Sequence, residues 1–347
     1  MNLLAHYERR RLMPKSAKGP TSRDSVEQTA LSNLLRALES GALSTVQVDC
    51  PVCGCSESEQ IASIDRRRLP VRTVRCFGCP TLYSRFRLTE DSLRDFYESY
   101  YRTAFGGMRE PTFDWFESQT ATGRRILAEI QSFPQFKASL KGRRVLEIGT
   151  GAGGVLIPFK ESGAQVIGLD LDENFLEFGR SRGLDLRFGG VDSVQNVGPV
   201  DIVILKDVLE HLPNPLRALK DIRQILSDDG VLYVHVPGLQ SLGSLGYLND
   251  LLRYLQIAHL CHYTEESLVF LCEKADLRVV QSNRLATVMC VRGDENFANV
   301  QSRQPGPEAA VIALREIFRS RLISRLRHEI RSVIPEPVRA LVRNVIR

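Results

Sequence analysis

A glycine-rich turn at residues 149–154 constrains the fold more than any other feature of the sequence. The apolar run VLEIG leads into TGAGG, and an apolar helical pattern follows. Glycines allow positive φ and a close approach to a ligand, and the helix after them presents free N–H groups to that ligand. The turn therefore predicts a strand-to-helix transition in an α/β fold, although such turns also serve dinucleotides or simply turn the chain.

The sequence around this turn repeats one pattern from Arg144 to about Asp294. Short apolar runs alternate with amphipathic stretches, which is typical of βαβ units around a parallel sheet. The predicted strands are VLEIG, AQVIGLD, VDIVIL, GVLYVHVP, LRVVQS and ATVMCV. The last two predict an antiparallel hairpin that closes the sheet.

The spacing of the glycines differs from a dinucleotide fingerprint. They recur at every second position in Glu147-x-Gly149-x-Gly151-x-Gly153 instead of following G-x-G-x-x-G. The acidic residue before the first glycine suits a ligand with an amine and a sulfonium cation, bound directly or through water. S-adenosylmethionine (SAM) is such a ligand.

Over about residues 140–292 the sequence resembles the class I SAM-dependent methyltransferases. The motifs that carry this resemblance are VLEIGTGAGG, VIGLDLD and DIVILKDVLEHLPNPLRALKDIRQILSDDGVLYVHVPG, in that order. The resemblance implies an α/β fold with a Rossmann-like, seven-stranded methyltransferase sheet. The residues it implies for SAM binding are Glu147, Gly149, Thr150, Gly151, Gly153, Asp170, Leu171, Asp192 and Lys206.

Two of these acidic residues have implied contacts with the nucleoside. Asp170 matches the residue that binds both ribose hydroxyls, whereas Asp172 is better placed to begin the next helix. Asp192 lies where the family often contacts the adenine amine, and capping of a loop is an equal alternative.

The catalytic candidates are Glu210, His211, His259 and His262. His211 follows the predicted fourth strand and could take a proton from the acceptor, or it could cap or pack while positioning alone drives transfer. The resemblance implies that the region of His259 and His262 closes over the acceptor; burial of both histidines against backbone is the alternative. His-x-Cys-His at 259–262 is too tightly spaced for an ordinary zinc site. A helix with Thr264 as its N-cap is expected next.

The cysteines define a second module. Cys50, Cys53, Cys76 and Cys79 form C-x2-C pairs separated by 22 residues. Two such knuckles direct four thiolates at one ion, so we expect a structural zinc site, with Cys55 as a bystander. A redox role lacks the expected βα context.

The zinc module also carries a resemblance that bears on the acceptor. Similar modules precede SAM-dependent methyltransferase domains in bacterial proteins that often modify sugars or surface polysaccharides. The resemblance implies a small-molecule acceptor, a sugar or nucleotide-sugar. A nucleic-acid methyltransferase and a non-catalytic scaffold are the alternatives. The first is disfavoured because Lys206-Asp-Val-Leu209 replaces the N/D-P-P-Y/F motif of amine methylation, the second because the SAM motifs are nearly complete.

The charge of the chain is concentrated in its tail. The net charge is +5, and residues 308–347 hold nine Arg against four Glu. The balance elsewhere argues against a field that binds nucleic acid. The apolar residues of the tail recur at helical spacing: Val311, Leu314, Phe318, Leu322, Leu326 and Ile330. We expect this helix to dock on the catalytic domain or a second subunit; binding to an anionic membrane surface is the alternative.

The expected organisation has five parts. Residues 1–45 are a basic leader and short helix, 46–88 the zinc module, 89–139 a helical connector, 140–294 the methyltransferase domain, and 295–347 a linker and Arg-rich tail. No apolar run reaches the roughly 20 residues of a membrane span, and no signal peptide is evident at the N-terminus. We therefore expect a cytoplasmic protein, with the inner membrane face as a possible site of peripheral contact.

Overall fold

A computed structural model describes residues 22–106, 110–137, 139–243, 247–293 and 304–333, with side chains up to residue 320 in the last range. The basic leader, except for its last residues, lies outside the described residues. So do the linker at 294–303 and the end of the Arg-rich tail. Among the described residues, no helix is long and apolar enough to cross a membrane.

The N-terminal part of the chain forms a small β-rich module with helices on either side. Its elements are α1 (Ser22–Glu39), β1 (Thr45–Gln47), β2 (Ser58–Ile64), β3 (Pro70–Cys76), β4 (Leu82–Ser84), β5 (Phe86–Leu88), α2 (Glu90–Phe96) and a π-helical segment (Tyr97–Gly106). Strands β2, β3 and β4 are antiparallel neighbours, and β1 pairs with β5. We call residues 45–88 the Cys module, because they contain both C-x2-C pairs.

The rest of the chain alternates strands and helices. Its longer elements are α3 (Phe113–Ile130), α4 (Pro134–Lys137), β6 (Arg144–Ile148), α5 (Ile157–Glu161), β7 (Gln165–Asp170), α6 (Glu173–Arg180), β8 (Asp185–Phe188), β9 (Val200–Lys206), α7 (Pro215–Ile225), β10 (Leu226–His235), α8 (Leu251–Tyr254), β11 (Cys261–His262), α9 (Glu265–Lys274), β12 (Leu277–Asn283), β13 (Thr287–Arg292) and α10 (Glu308–Val333). Short 3-10 turns cover Gly154–Leu156, Val191–Asn196, Leu209–His211 and Leu239–Ser241.

Seven strands form the central sheet in the order β12-β13-β10-β9-β6-β7-β8. Strand β13 is antiparallel to both of its neighbours, and the pairs from β10 to β8 are parallel. The predicted seven-stranded sheet with its closing hairpin is therefore confirmed. Apolar clusters cover both faces of the sheet, which is why its inner strands are nearly continuous apolar runs.

Local sequence determines where the helices begin. The side chain of Asp172 accepts a hydrogen bond from the N–H of Phe175 at the start of α6. Thr264 caps α9, and the hydroxyl of Ser267 accepts a hydrogen bond from the N–H of Thr264, so the expected cap is present with a serine as its reciprocal partner. These caps fix the helices that follow β7 and β11.

Backbone pairing joins the Cys module to the catalytic part of the chain. Strand β11, from the segment between β10 and α9, pairs antiparallel with β4. The start of α10 packs against the same region, with Ala310, Ala313, Leu314 and Ile317 buried. The segment before α9 is therefore held by elements that are far away in the sequence.

Candidate functional site

The glycine turn after β6 has a backbone that requires glycine. Gly149, Gly151 and Gly153 have φ of 73°, 55° and 77°, in the left-handed region. A Cβ on Gly149 would come within 2.3 Å of Val208 Cγ2, and one on Gly151 within 3.0 Å of Trp115 Cη2. Side chains are thus excluded from the turn both by conformation and by packing.

Asp170 ends β7 with its carboxylate fixed against this turn. Its Oδ2 accepts a hydrogen bond from the N–H of Gly151 at 2.7 Å, and its Oδ1 accepts one from the N–H of Asp172 at 3.0 Å. Asp170 therefore stands at the mouth of the turn in a fixed orientation, while Asp172 caps α6.

Glu147 lies beneath the turn and is 3% exposed. Its Oε2 accepts a hydrogen bond from the hydroxyl of Thr150 at 2.6 Å. Burial raises the pKa of Glu147 to about 8, against the opposing influence of Lys206 at the end of β9. The carboxyl group is therefore protonated near neutral pH, and a cation bound beside it would favour the ionised form.

Two further SAM candidates lie beyond the carboxyl ends of β7 and β8. Leu171 follows Asp170 and is 55% exposed. Asp192 is exposed in the first turn of the 3-10 helix Val191–Asn196. Ligands of open α/β sheets bind at this edge, so the structure brings the predicted cofactor residues to one side of the sheet.

Glu210, His211 and His259 meet beyond the end of β9. The Nε2 atoms of His211 and His259 lie 3.8 Å and 3.9 Å from Glu210 Oε1. Glu210 is 2% exposed, and neither of its carboxylate oxygens has a hydrogen-bond partner among the described residues. Burial raises the pKa of Glu210 well above its ordinary value. We call these three residues the Glu-His-His cluster.

The contacts of His211 determine which of its nitrogens carries the proton. Its Nδ1 lies 2.9 Å from the carbonyl oxygen of Ala258 and 2.9 Å from the hydroxyl of Tyr97. Because a carbonyl oxygen only accepts, Nδ1 is the donor and Nε2 has the lone pair. Burial lowers the pKa of His211 to about 4, so the ring is neutral near neutral pH.

His262 lies outside the Glu-His-His cluster. It is 1% exposed in β11, and its ring centroid is 5.9 Å from that of His259 and 4.9 Å from that of Tyr254. Burial lowers the pKa of His262 to about 3. Of the four catalytic candidates, the structure brings three together and places the fourth behind them.

The four cysteines of the C-x2-C pairs converge on one point. Their Sγ atoms all lie within 4.8 Å of one another, with 3.6 Å between Cys50 and Cys79 and 3.5 Å between Cys53 and Cys76. Tetrahedral zinc with Zn–S bonds of about 2.3 Å would separate its sulfurs by about 3.8 Å. The four thiols therefore fit one structural zinc ion.

Cys55 lies beside this group. Its Sγ donates to the carbonyl oxygen of Glu57 at 3.6 Å. A Cβ on Gly78 would come within 2.9 Å of Cys55 Cβ and 3.2 Å of Cys53 Sγ. The second knuckle thus needs a glycine where it packs against the first.

The Cys module holds the segment that carries His259. Asp65, in the loop between β2 and β3, is fully buried. Its Oδ2 accepts from the N–H of Ile257 at 3.0 Å, and its Oδ1 accepts from the N–H groups of Arg67 and Leu69 at 2.7 Å and 2.9 Å. One carboxylate therefore connects the module to the backbone two residues before His259.

Tyr97 and Trp115 belong to the stretch predicted as a helical connector, and they are functional candidates that the sequence analysis did not single out. Tyr97 contacts His211, and Trp115 lies over Gly151. The available signal was the aromatic run FYESYY and the single tryptophan of the chain, both shortly before the glycine turn. Their contacts depend on how the connector folds back, which local patterns do not specify.

Fold and site together define a Rossmann-like domain with a cofactor turn and a cysteine-rich module. Residues 118–282 match the family model described as a methyltransferase domain. This part of the chain is therefore similar to a methyltransferase domain.

Individual relatives cover less of the chain. The ubiquinone biosynthesis O-methyltransferase of Bordetella avium is 30% identical over 107 residues, which are 28% of this chain and 44% of that protein. The enzyme of the same name from Bordetella parapertussis is 36% identical over 90 residues, 24% of this chain and 37% of that protein. The chain thus spans less than half the length of these curated relatives.

Among solved structures, one similar chain is the magnesium protoporphyrin IX methyltransferase of Synechocystis with bound SAH. The TM-score is 0.41 and the identity is 19%, with 59% of this chain and all of that chain covered.

Proposed function

We propose that this protein transfers a methyl group from SAM to a hydroxyl group of a small-molecule acceptor, a sugar or nucleotide-sugar. The observation that carries the proposal is the glycine turn with Asp170 fixed at its mouth and Glu147 beneath it. The relatives are named O-methyltransferases, which favours an oxygen atom as the methyl acceptor. The resemblance of the Cys module to modules of sugar-modifying methyltransferases is the basis for a sugar.

The residues at the carboxyl edge of the sheet fit SAM. Gly149 leaves exposed backbone at the turn, and the carboxylate of Asp170 is proposed to accept hydrogen bonds from the ribose hydroxyls. Leu171 offers an exposed apolar surface next to that carboxylate. A cationic ligand would shift the buried carboxyl group of Glu147 towards its charged form. When bound, SAM supplies an electrophilic methyl group on a sulfonium.

The acceptor is proposed to bind at the Glu-His-His cluster. The neutral ring of His211 presents the lone pair of Nε2, which can take the proton of an acceptor hydroxyl. His259 and Glu210 line the same point and orient the hydroxyl. Tyr97 holds His211 from the other side of its ring. Positioning of the acceptor oxygen in line with the C–S bond of the methyl group supplies much of the rate enhancement of methyl transfer.

A screen with isotopically labelled SAM tests the acceptor. The panel contains nucleotide-sugars, catechols with prenyl tails, and an RNA and a DNA duplex. Label transferred to a nucleotide-sugar supports the proposal. Transfer to a catechol would support the methyltransferase activity but overturn the sugar as the acceptor. Transfer to a nucleic acid would mean that the Cys module binds a polymer. No detectable SAM binding by calorimetry would overturn the enzymatic proposal as a whole.

A further inference from the structure

If the Glu-His-His cluster binds nothing, the buried carboxyl group of Glu210 has no hydrogen-bond partner among the described residues. Its side chain is 2% exposed, and both carboxylate oxygens lack a hydrogen-bond partner among the described residues. An unpartnered buried polar group is costly, and a buried charge is costlier unless it is paired or coordinates a metal.

We infer that Glu210, His211 and His259 bind a divalent cation, and that this ion receives the acceptor oxygen. One donor atom from each residue lies within 4.8 Å of the others, with 3.8 Å and 3.9 Å from Glu210 Oε1 to the two Nε2 atoms. The point in the plane of these three atoms that is equidistant from them lies at most about 2.5 Å from each, close to the 2.0–2.2 Å of nitrogen and carboxylate ligands.

The surroundings of His211 match those of a metal ligand. Histidines that bind metals usually donate their second ring N–H to a backbone carbonyl or a carboxylate. The Nδ1 of His211 does so to the carbonyl oxygen of Ala258 at 2.9 Å, which leaves Nε2 facing Glu210. This second observation is independent of the unpartnered carboxylate.

Gln256 supplies a further polar group at the same point. Its Nε2 contacts the Nε2 of His259, and its Oε1 is buried without a hydrogen-bond partner among the described residues. A turn of this amide on ion binding would free His259 and bring the oxygen towards the ion. Three protein ligands with open positions correspond to a catalytic centre, unlike the closed group of four thiols in the Cys module.

This inference deepens the proposed function and rests on it for the role of the ion. With an ion bound, the lone pair of His211 is a ligand, and the ion lowers the pKa of the acceptor hydroxyl. The acceptor proton passes to solvent water. The acceptor oxygen then bonds to the methyl carbon as the C–S bond breaks. The electron pair of the C–S bond stays on the sulfur, which becomes a neutral thioether.

Titration of the full chain with Mn2+ tests the site. The protein is first brought to one zinc per chain, because thiolates select zinc whereas carboxylate ligands suit manganese. Free Mn2+ is followed by its electron paramagnetic resonance signal. We expect one Mn2+ to bind per chain, and we expect Glu210→Gln and His211→Gln each to weaken binding by about tenfold or more. Absence of binding to the wild type, or unchanged binding by both variants, would overturn the inference.

Two variants serve as matched controls for Mn2+ binding. Glu147→Gln removes the other buried carboxyl group near the sheet edge, and His235→Gln removes a half-buried histidine outside the cluster. Both should bind Mn2+ as the wild type does. Zinc content and the midpoint of thermal unfolding show whether each variant is folded.

Activity separates this inference from the proposed function. Removal of Mn2+ by gel filtration should lower methyl transfer about tenfold or more without changing SAM affinity. Full transfer without Mn2+ would leave His211 as the base and refute the role of the ion. Mn2+ binding without SAM binding would instead refute the methyltransferase proposal and keep the metal site.

Discussion

The proposed cofactor side and the proposed acceptor side of the site are built in different ways. The glycine turn, Glu147 and Asp170 come from two successive strands, and Asp170 bonds directly to the N–H of Gly151. The acceptor side takes Glu210 and His211 from the end of β9, His259 from the segment before β11, and Tyr97 from the π-helical segment.

This difference has a consequence for the Cys module. The module does not contact the turn through any hydrogen bond described here, but Asp65 and β4 hold the backbone on both sides of His259. Lys274 of α9 adds a hydrogen bond to the carbonyl oxygen of Val52, at 2.9 Å, beside the first knuckle. The module therefore stabilises the acceptor side, and damage to it should spare SAM binding.

Loss of a zinc ion from the Cys module should affect the two sides of the site differently. We expect one zinc per chain by elemental analysis, and we expect Cys76→Ser to lose it, because short modules of this kind need their ion to fold. Methyl transfer should fall about tenfold or more, while the SAM dissociation constant changes less than about threefold. Cys55→Ser is the control and should keep the ion.

The opposite pattern in these two variants would show that Cys55, not Cys76, is a ligand. A parallel loss of SAM affinity in Cys76→Ser would show that the Cys module supports the whole site.

His211→Ala should lower turnover by about 100-fold or more and leave SAM affinity nearly unchanged. The reason is the proposed action of His211 on the acceptor, either through its lone pair directly or as an ion ligand. Steady-state kinetics with calorimetry measures both quantities. His235→Ala, which removes a histidine bonded to Thr287, should retain most activity. SAM affinity that fell together with turnover would assign His211 a structural role.

The sequence predicted the cofactor side better than the acceptor side for a physical reason. The turn at 149–154 and the end of β7 are set by local patterns, and parallel strands bring their carboxyl ends together. Tyr97 reaches His211 across 114 residues, so no local pattern specifies the contact. The edge strand β8, of four residues with one buried, has little apolar signal of its own. In the sequence Glu210 is recognisable only as the neighbour of His211, and its burial is not evident.

Asp170→Ala should weaken SAM binding by about 1.5–3 kcal/mol for each charge-assisted hydrogen bond that is lost. The same change removes the bond to the N–H of Gly151, so Asp170→Asn, which keeps one oxygen acceptor, is the matched variant. Calorimetry with SAM and its demethylated product measures the loss. Unchanged affinity in Asp170→Ala would remove Asp170 from the cofactor site.

Asp65→Asn should act on the acceptor side alone. The amide cannot accept at all three N–H groups, and loss of a buried hydrogen bond costs about 1–3 kcal/mol. We expect kcat/KM for the acceptor to fall about tenfold with zinc content and SAM affinity retained. Asp250→Asn, at the N-terminus of α8, is a control for general loss of a capping carboxylate. If Asp65→Asn and Asp250→Asn lowered kcat/KM for the acceptor equally, Asp65 would have no specific positioning role.

The smallest expected effect concerns the pH dependence of SAM binding. Burial raises the pKa of Glu147 to about 8, so its carboxyl group is protonated at pH 6–7.5 in the ligand-free protein. A bound cation favours the ionised form, and a proton is then released on binding. SAM affinity should therefore rise with pH over this range, by about threefold per pH unit, and the slope should disappear in Glu147→Gln.

Glu161→Gln, at the end of α5 on the surface, should keep the wild-type slope. The demethylated product lacks the sulfonium charge, so its slope should be shallower than that of SAM. Equal slopes in wild type and Glu147→Gln would mean that Glu147 shapes the turn through Thr150 and does not respond to the charge of the ligand.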